Sequence, residues 1–433
     1  MSSMLRLCFL KYPPTKIQYN QPFQFSLTIY NDLGVGCGEQ IEDISIKLKL
    51  IQVKDIQSTT DGNNNNRSII NKIQLNLMEP KKNIINNNND NEIDFKFQAN
   101  SPYIEYNFML MVNNLQKSSI TTSIQLSFEV IDNINNNIIL PGGSLVKDLY
   151  FLNLYSNIIE ISNKVINNSN TTTIDDNINL SLRYFNFKII NKEISNRMIV
   201  LESTFGQDLG SHCWDCSWIG LHFLTSILLS NNNIDYTNNN QFKLKNELYI
   251  NKLKEKILPS NKKQVTLLEL GCGCGLLSQG LYVLLSKINI KYNNKYQFYL
   301  SDLPQILNKS TKRNLTINNI DYINNKNKNK NMSIDLLSLD WELDIELNQF
   351  ELPDIIVAFD VIYNNETYLL LIRLLKNIIK LCKDKNKETM ILIGYKKRNS
   401  LIENQFFKLI QENFELFPIL SSVGLYLLML IPK

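Results

Sequence analysis

Histidine is nearly missing from this chain, with two residues in 433. Tryptophan is scarce too, with three. No apolar run approaches the ~20 residues that a membrane-crossing helix needs. The stretch at 5–10 is too short for a secretory signal core, and the apolar run at 424–432 is shorter than a membrane span. Neither sign of charge prevails: 45 basic and 41 acidic residues leave a net +4. Such a balance lacks the concentrated basic patch of a nucleic-acid binder. The seven cysteines are odd in number and scattered, which fits reduced thiols better than a disulfide framework. These absences describe a soluble intracellular protein, expected in the cytoplasm with the nucleus left open, and no membrane or nucleic-acid partner.

What is present can build a core. Hydrophobic residues make up 44% and charged ones 20%, ordinary for a globular chain. The length suits two or three domains. Asparagine tracts at 63–66, 86–91, 133–137, 167–170, 231–240 and 324–331 interrupt the pattern. Segments this polar bury too little apolar surface to offset their ordering entropy, so they are expected as insertions in surface loops.

Residues 1–160 alternate apolar and polar side chains with period two, as at 23–30, 44–53, 93–98 and 123–131. That is the pattern of half-buried strands, and several of them without helices predict an all-β, sandwich-like domain. It holds no histidine, tryptophan or glycine-rich phosphate loop, so a structural or docking role is expected for it. An asparagine-rich linker is placed at 161–182. From Arg183 to Lys433 apolar strands alternate with helix-length amphipathic segments. That alternation predicts an α/β domain with a doubly wound, mostly parallel sheet of seven strands. The last two strands follow each other closely, so a hairpin should place one of them antiparallel.

Chemistry-bearing residues fall where strands of this second region end. The segment LLELGCGCGLLSQG carries Glu269, then Gly271, Gly273 and Gly275, then a helix. Glycine permits a tight turn and close approach of a ligand to the backbone. At the end of the next strand, FYLSD, Asp302 is either a helix N-cap or an acceptor for two ribose hydroxyls. These two segments leave the cofactor open between a dinucleotide and another adenosine compound. In LSLDW, Asp340 and Trp341 suit an adenine, one beside its amino group and one against its face; the alternative for Trp341 is a core position. In DIIVAFDVIYN, Ala358 lies near the strand end, and Asp360 and Tyr363 bring a carboxylate and a phenol to the sheet mouth. Upstream, in GSHCWDCSWIGLHFL, Trp214 and Trp218 are one helical turn apart, and Trp218 with Leu221 forms an apolar stripe.

The same segment holds Cys213 and Cys216, with Cys272 and Cys274 further on. Zinc would need a second CxxC, and Cys272 and Cys274 sit inside the glycine loop instead. Free thiols and no metal are expected.

In their order along the chain, WDCSWIGLHFL, LLELGCGCGLLS, SDLPQIL…NLTIN, LDW and DVIYN resemble the seven-β-strand protein-lysine methyltransferases. The resemblance covers 183–433 and implies S-adenosyl-L-methionine as cofactor and a protein substrate. It implies that Trp214, Gly271 to Gly275, Asp302, Trp341 and Ala358 line the cofactor site. Asp360 and Tyr363 match the family's acidic–x–x–aromatic motif and would border the target nitrogen. Tyr395 stands where an acidic residue is common in the family. Methyl transfer needs neither an imidazole nor a metal, in keeping with the scarcity of histidine. Two other functions fit the residues: methylation of a small molecule on the same fold, and a catalytically silent binding protein. An NAD-dependent enzyme is a weaker fit, because WDCS and DVIY have no place in it.

Overall fold

The computed structural model describes residues 4–31, 44–52, 73–79, 84–89, 92–97, 106–114, 122–131, 138–140, 143–146, 149–162, 180–187, 196–203, 209–229, 243–261, 263–289, 293–322, 331–343, 350–422 and 425–433. The chain divides into two compact units. One holds 2–186 with 201–207, the other 187–200 with 208–433.

The first unit is built of strands, as the period-two pattern requires. Phe23–Tyr30, expected as a strand, lies within Pro22–Asn31; Ile44–Gln52, Glu92–Phe97 and Thr122–Ile131 match the other alternating runs. They form two sheets. Inward residues of both, including Leu7, Phe25 and Leu27 from one and Ile46, Leu126 and Phe128 from the other, share one apolar cluster. The rings of Phe9 and Phe128 meet edge to face across it, 5.5 Å apart. The asparagine tract beginning at 86 differs from expectation. Ile84–Asn89 is a strand paired antiparallel with Glu92–Phe97, because a partner edge can satisfy its backbone whatever its side chains. The tracts at 63–66, 133–137, 167–170, 231–240 and 324–330 lie outside the described residues, as does most of the expected linker.

Arg183, where the sequence reading starts the second domain, belongs to this first unit. Its strand, Leu180–Phe187, pairs with Leu154–Tyr155. The guanidinium is wholly buried. It donates to the Glu202 carboxylate, to Asn153 O at 3.0 Å and to Leu7 O at 3.1 Å. A buried cation with those partners is a structural cross-tie.

The second unit carries an eight-stranded sheet. Its order is Lys243–Leu244, Phe414–Ser422, Leu425–Pro432, Met390–Lys396, Ile355–Phe359, Gln264–Leu270, Lys295–Asp302, Met332–Ser338. Five consecutive strands from Met390 to Ser338 are parallel, and Leu425–Pro432 runs antiparallel to its neighbours. This is the expected doubly wound sheet with one reversed strand, plus a two-residue strand at one edge. The chain leaves Gln264–Leu270 in one direction, returns on the other side at Ile355–Phe359, and so makes a crevice beyond the carboxyl ends of the strands.

Helices cover the sheet. Tyr368–Asp384 buries Tyr368, Leu371, Ile372, Leu375, Ile378, Ile379 and Cys382, a stripe at helical spacing. Asp215–Leu229 is buried on nearly every face and includes Trp218 and Leu221, both as expected for core positions. Two glycines let it pack so closely: a side chain on Gly220 would strike Phe359, and one on Gly280 would strike Leu221. After Asp302 the chain is helical in three consecutive pieces, Pro304–Ile306, a π turn Leu307–Thr311, and Lys312–Ile317.

Candidate active site

The glycine loop follows directly from its strand. Gly271, Gly273 and Gly275 have φ of 67°, 53° and 76°, backbone that other residues adopt only at a cost of roughly 1–2 kcal/mol. Gly275 then opens the helix Leu276–Ile288. Glu269 is buried at the last turn of the strand, and its carboxylate accepts the Ser278 N–H at 3.1 Å, near the start of that helix. Burial pushes its pKa up to about 7, against the opposing pull of the Ser278 hydrogen bonds.

Asp302 meets the loop from the next strand. Its Oδ2 accepts the Gly273 N–H and its Oδ1 the Leu303 N–H, both at 2.8 Å. A carboxylate at the end of this strand is the group that accepts from ribose hydroxyls in folds of this topology. Asp340 accepts the Glu342 N–H at 3.0 Å in the turn that carries Trp341. The Trp341 ring reaches the glycine loop: a Cβ on Gly271 would lie 3.8 Å from its Cζ2, and 2.8 Å from Val361. Tyr363 is 64% exposed. Desolvation by its neighbours, and then the charge of Asp302, raise its phenol above the ordinary range.

Asp360 holds the other side. It has φ 55°, is buried, and donates its N–H to Gly394 O at 2.9 Å. Its Oδ2 accepts the Cys216 N–H at 2.7 Å and its Oδ1 accepts from Arg398 Nη1 at 3.1 Å. Desolvation raises its pKa, Arg398 opposes this, and Asp215 adds to it. Next to it, Lys396 Nζ meets Asp215 Oδ2 at 2.5 Å, both buried. Trp214 donates Nε1–H to Leu209 O at 3.1 Å and lies under the Arg398 guanidinium, 5.2 Å from its carbon.

The expected residues therefore gather in two linked groups. Glu269, Gly271, Gly273, Gly275, Asp302, Trp341 and Tyr363 form one; Trp214 and Asp360 form the other. Val361 joins them, one residue from Asp360 and against Gly271. Ala358 stands apart: it is fully buried in its strand within the core cluster that includes Tyr368 and Leu375, with no surface to offer a ligand. Arg398 and Lys396 were not singled out from the sequence; their only signal was the basic run after a strand end. The thiols also differ from expectation. Cys213 and Cys274 are joined by a disulfide, while Cys216 and Cys272 are free and buried. Sequence spacing could not show this, because the fold brings two Cα atoms 61 positions apart to within 6.1 Å. Among the described residues no group of three or more His, Cys, Asp or Glu is placed to hold a metal.

A family model described as lysine methyltransferase matches residues 193–413, 221 of the 433 residues and so just over half of the chain. The chain belongs to this lysine methyltransferase family. It is an S-adenosylmethionine-dependent methyltransferase. The residues fit that cofactor: a glycine loop with no side chains in the way, a carboxylate at the next strand end, and a flat ring beside the loop. No curated protein matches the chain. Among solved structures it is similar to a precorrin-6y C5,15-methyltransferase from Geobacter metallireducens, at 14% identity over 44% of this chain and 91% of that one, TM-score 0.26. It is also similar to a putative class I S-adenosylmethionine-dependent methyltransferase from Listeria monocytogenes, at 11% identity over 43% of this chain and 58% of that one, TM-score 0.29. A methyltransferase from Pyrococcus furiosus gives 13% identity, 42% and 81% coverage, and TM-score 0.27. At such scores these likenesses carry no information on substrate. Among the described residues of this methyltransferase no helix is long and apolar enough to cross a membrane.

Proposed function

We propose that this methyltransferase modifies a lysine side chain of a protein. The observation that carries the reading is the carboxylate–phenol pair Asp360 and Tyr363, three residues apart after the strand Ile355–Phe359 and next to the glycine loop. The match to a lysine methyltransferase model supports it. S-adenosylmethionine, when bound, supplies an electrophilic methyl group.

Gly271, Gly273, Gly275, Asp302, Asp340, Trp341 and Trp214 hold and orient the cofactor in this reading. Asp360 and Tyr363 align the acceptor nitrogen for in-line attack, which is proximity catalysis. A lysine amine has a reference pKa near ~10.4 and must lose a proton before it attacks. A buried carboxylate with a raised pKa is a better proton acceptor than an exposed one, which suits Asp360 to that step. The bound cofactor would supply its methyl group to the nitrogen that Asp360 and Tyr363 align, with sulfur as the leaving atom. The proton leaves the nitrogen for Asp360 or water. The first unit serves as a docking module for the protein acceptor or for a further partner.

The test is transfer of labelled methyl groups to an array of lysine peptides and to a fractionated lysate. Label is expected on lysine. Asp360→Asn should lower transfer at least about 100-fold, the usual lower bound for losing an acid–base group, with cofactor still bound in calorimetry. Label appearing only in small metabolites would remove the protein acceptor from the reading.

A further inference from the structure

A cation already occupies the space between Asp360 and Trp214. Arg398 Nη1 donates to Asp360 Oδ1 at 3.1 Å, and its guanidinium carbon lies 5.2 Å from the Trp214 ring centre. A desolvated carboxylate on one side and an aromatic face on the other are the two features that recognise an organic cation. The guanidinium suits the place as a resident, because it stays protonated at any physiological pH.

We propose that Arg398 holds the acceptor-cation subsite of the resting chain, and that only an acceptor arriving as a cation can displace it. This deepens the lysine reading and rests on it. Three observations support it. First, the backbone around Arg398 is fixed: the N–H groups of Arg398 and Asn399 both donate to Glu403 Oε1, at 2.6 and 3.0 Å. Displacement is therefore a side-chain rotation. Second, the Arg398 side chain is 20% exposed, so it has a way out to solvent, whereas the Asp360 side chain is 2% exposed. Third, Asp360 is too deeply placed to be left unpaired, since removing one partner of a buried pair leaves a costly lone charge. Exchanging one cation for another keeps it paired throughout. A neutral acceptor such as an amide or hydroxyl cannot make that exchange. Arg398 is thus a specificity-determining residue, selecting alkylammonium side chains before any proton is lost.

The first test uses the full chain with Arg398→Lys, which keeps the charge and places an amine where the guanidinium stands. After incubation with S-adenosylmethionine, mass mapping should find methylation at position 398 of the variant. Calorimetry with S-adenosylhomocysteine establishes that the variant is folded and loaded, and the wild type is run in parallel on the lysine array. Array label from the wild type with none at position 398 of a loaded variant overturns the proposal and leaves the lysine reading standing. No label on either removes both. Should Arg398→Lys fail to fold, Arg398→Ala is titrated with n-butylammonium chloride. The vacated subsite is expected to bind it at least tenfold more tightly than the wild type does, with no gain for n-butanol. Equal affinity in variant and wild type overturns the proposal.

Discussion

Cys213, one residue before Trp214, is bonded to Cys274, which sits between Gly273 and Gly275. The bond ties the segment that enters the helix Asp215–Leu229 to the glycine loop. Cross-links act mainly on the unfolded chain, and a closed loop of 61 positions corresponds to about 4 kcal/mol by chain entropy, with about 2–4 typical in practice.

Cys213→Ser should therefore lower the unfolding free energy by about 2–4 kcal/mol. Wild-type protein unfolded in excess dithiothreitol should fall to the same value. The measurement is urea denaturation of both proteins with and without reductant. If reductant leaves the wild type unchanged and the variant equally stable, the two sulfurs do not form a bond in solution.

Glu269 links stability to pH. Its pKa rises from about 4.5 in the unfolded chain to about 7 when folded, chiefly through burial. The folded state holds this proton more tightly than the unfolded one. Its contribution is complete below about 4.5 and is lost as pH climbs through about 7. At about 1.4 kcal/mol per unit, the whole swing is about 3 kcal/mol. Glu269→Gln removes this swing. The wild type should lose stability relative to the variant between about pH 4.5 and 7, and urea midpoints across that range measure it. Parallel pH profiles would place Glu269 in a wetter setting than the strand end Gln264–Leu270 gives it.

The sheet was legible in the sequence because its signals are local. Buried strands read as runs such as VTLLEL, amphipathic helices as the stripe from Tyr368 to Cys382, and the glycine loop as three glycines between strand and helix. The residues at strand ends were legible for the same reason, since doubly wound topology sends them to one crevice. Ala358 was misplaced by one structural detail: strand side chains alternate, and its own faces the helix-covered core. The π turn at Leu307–Thr311 and the short strand Lys243–Leu244 have no local signature. The pairs that tie the site together were illegible because they are long-range. Asp360 and Arg398 are 38 residues apart, and Asp215 and Lys396 are 181 apart. In the sequence Lys396 is one member of a basic run after a strand end.

That last pair is the sharpest case for a stability test. Lys396 ends the strand Met390–Lys396, Asp215 begins the helix Asp215–Leu229, and their side chains are 4% and 0% exposed. Breaking a buried pair strands the surviving charge, at a cost of about 3–5 kcal/mol. Lys396→Met and Asp215→Leu, each removing one member of the buried pair, should each lose about that much. The double variant has neither charge and refills the space with apolar atoms, so it should recover most of the loss. Recovery should fall short by about 0.3–1 kcal/mol, because Asp215 is also the acid in the first turn of its helix, where a negative charge favours the helix dipole. Four urea curves give the coupling energy. Additive losses would mean that water reaches one of the two groups and that each acts independently.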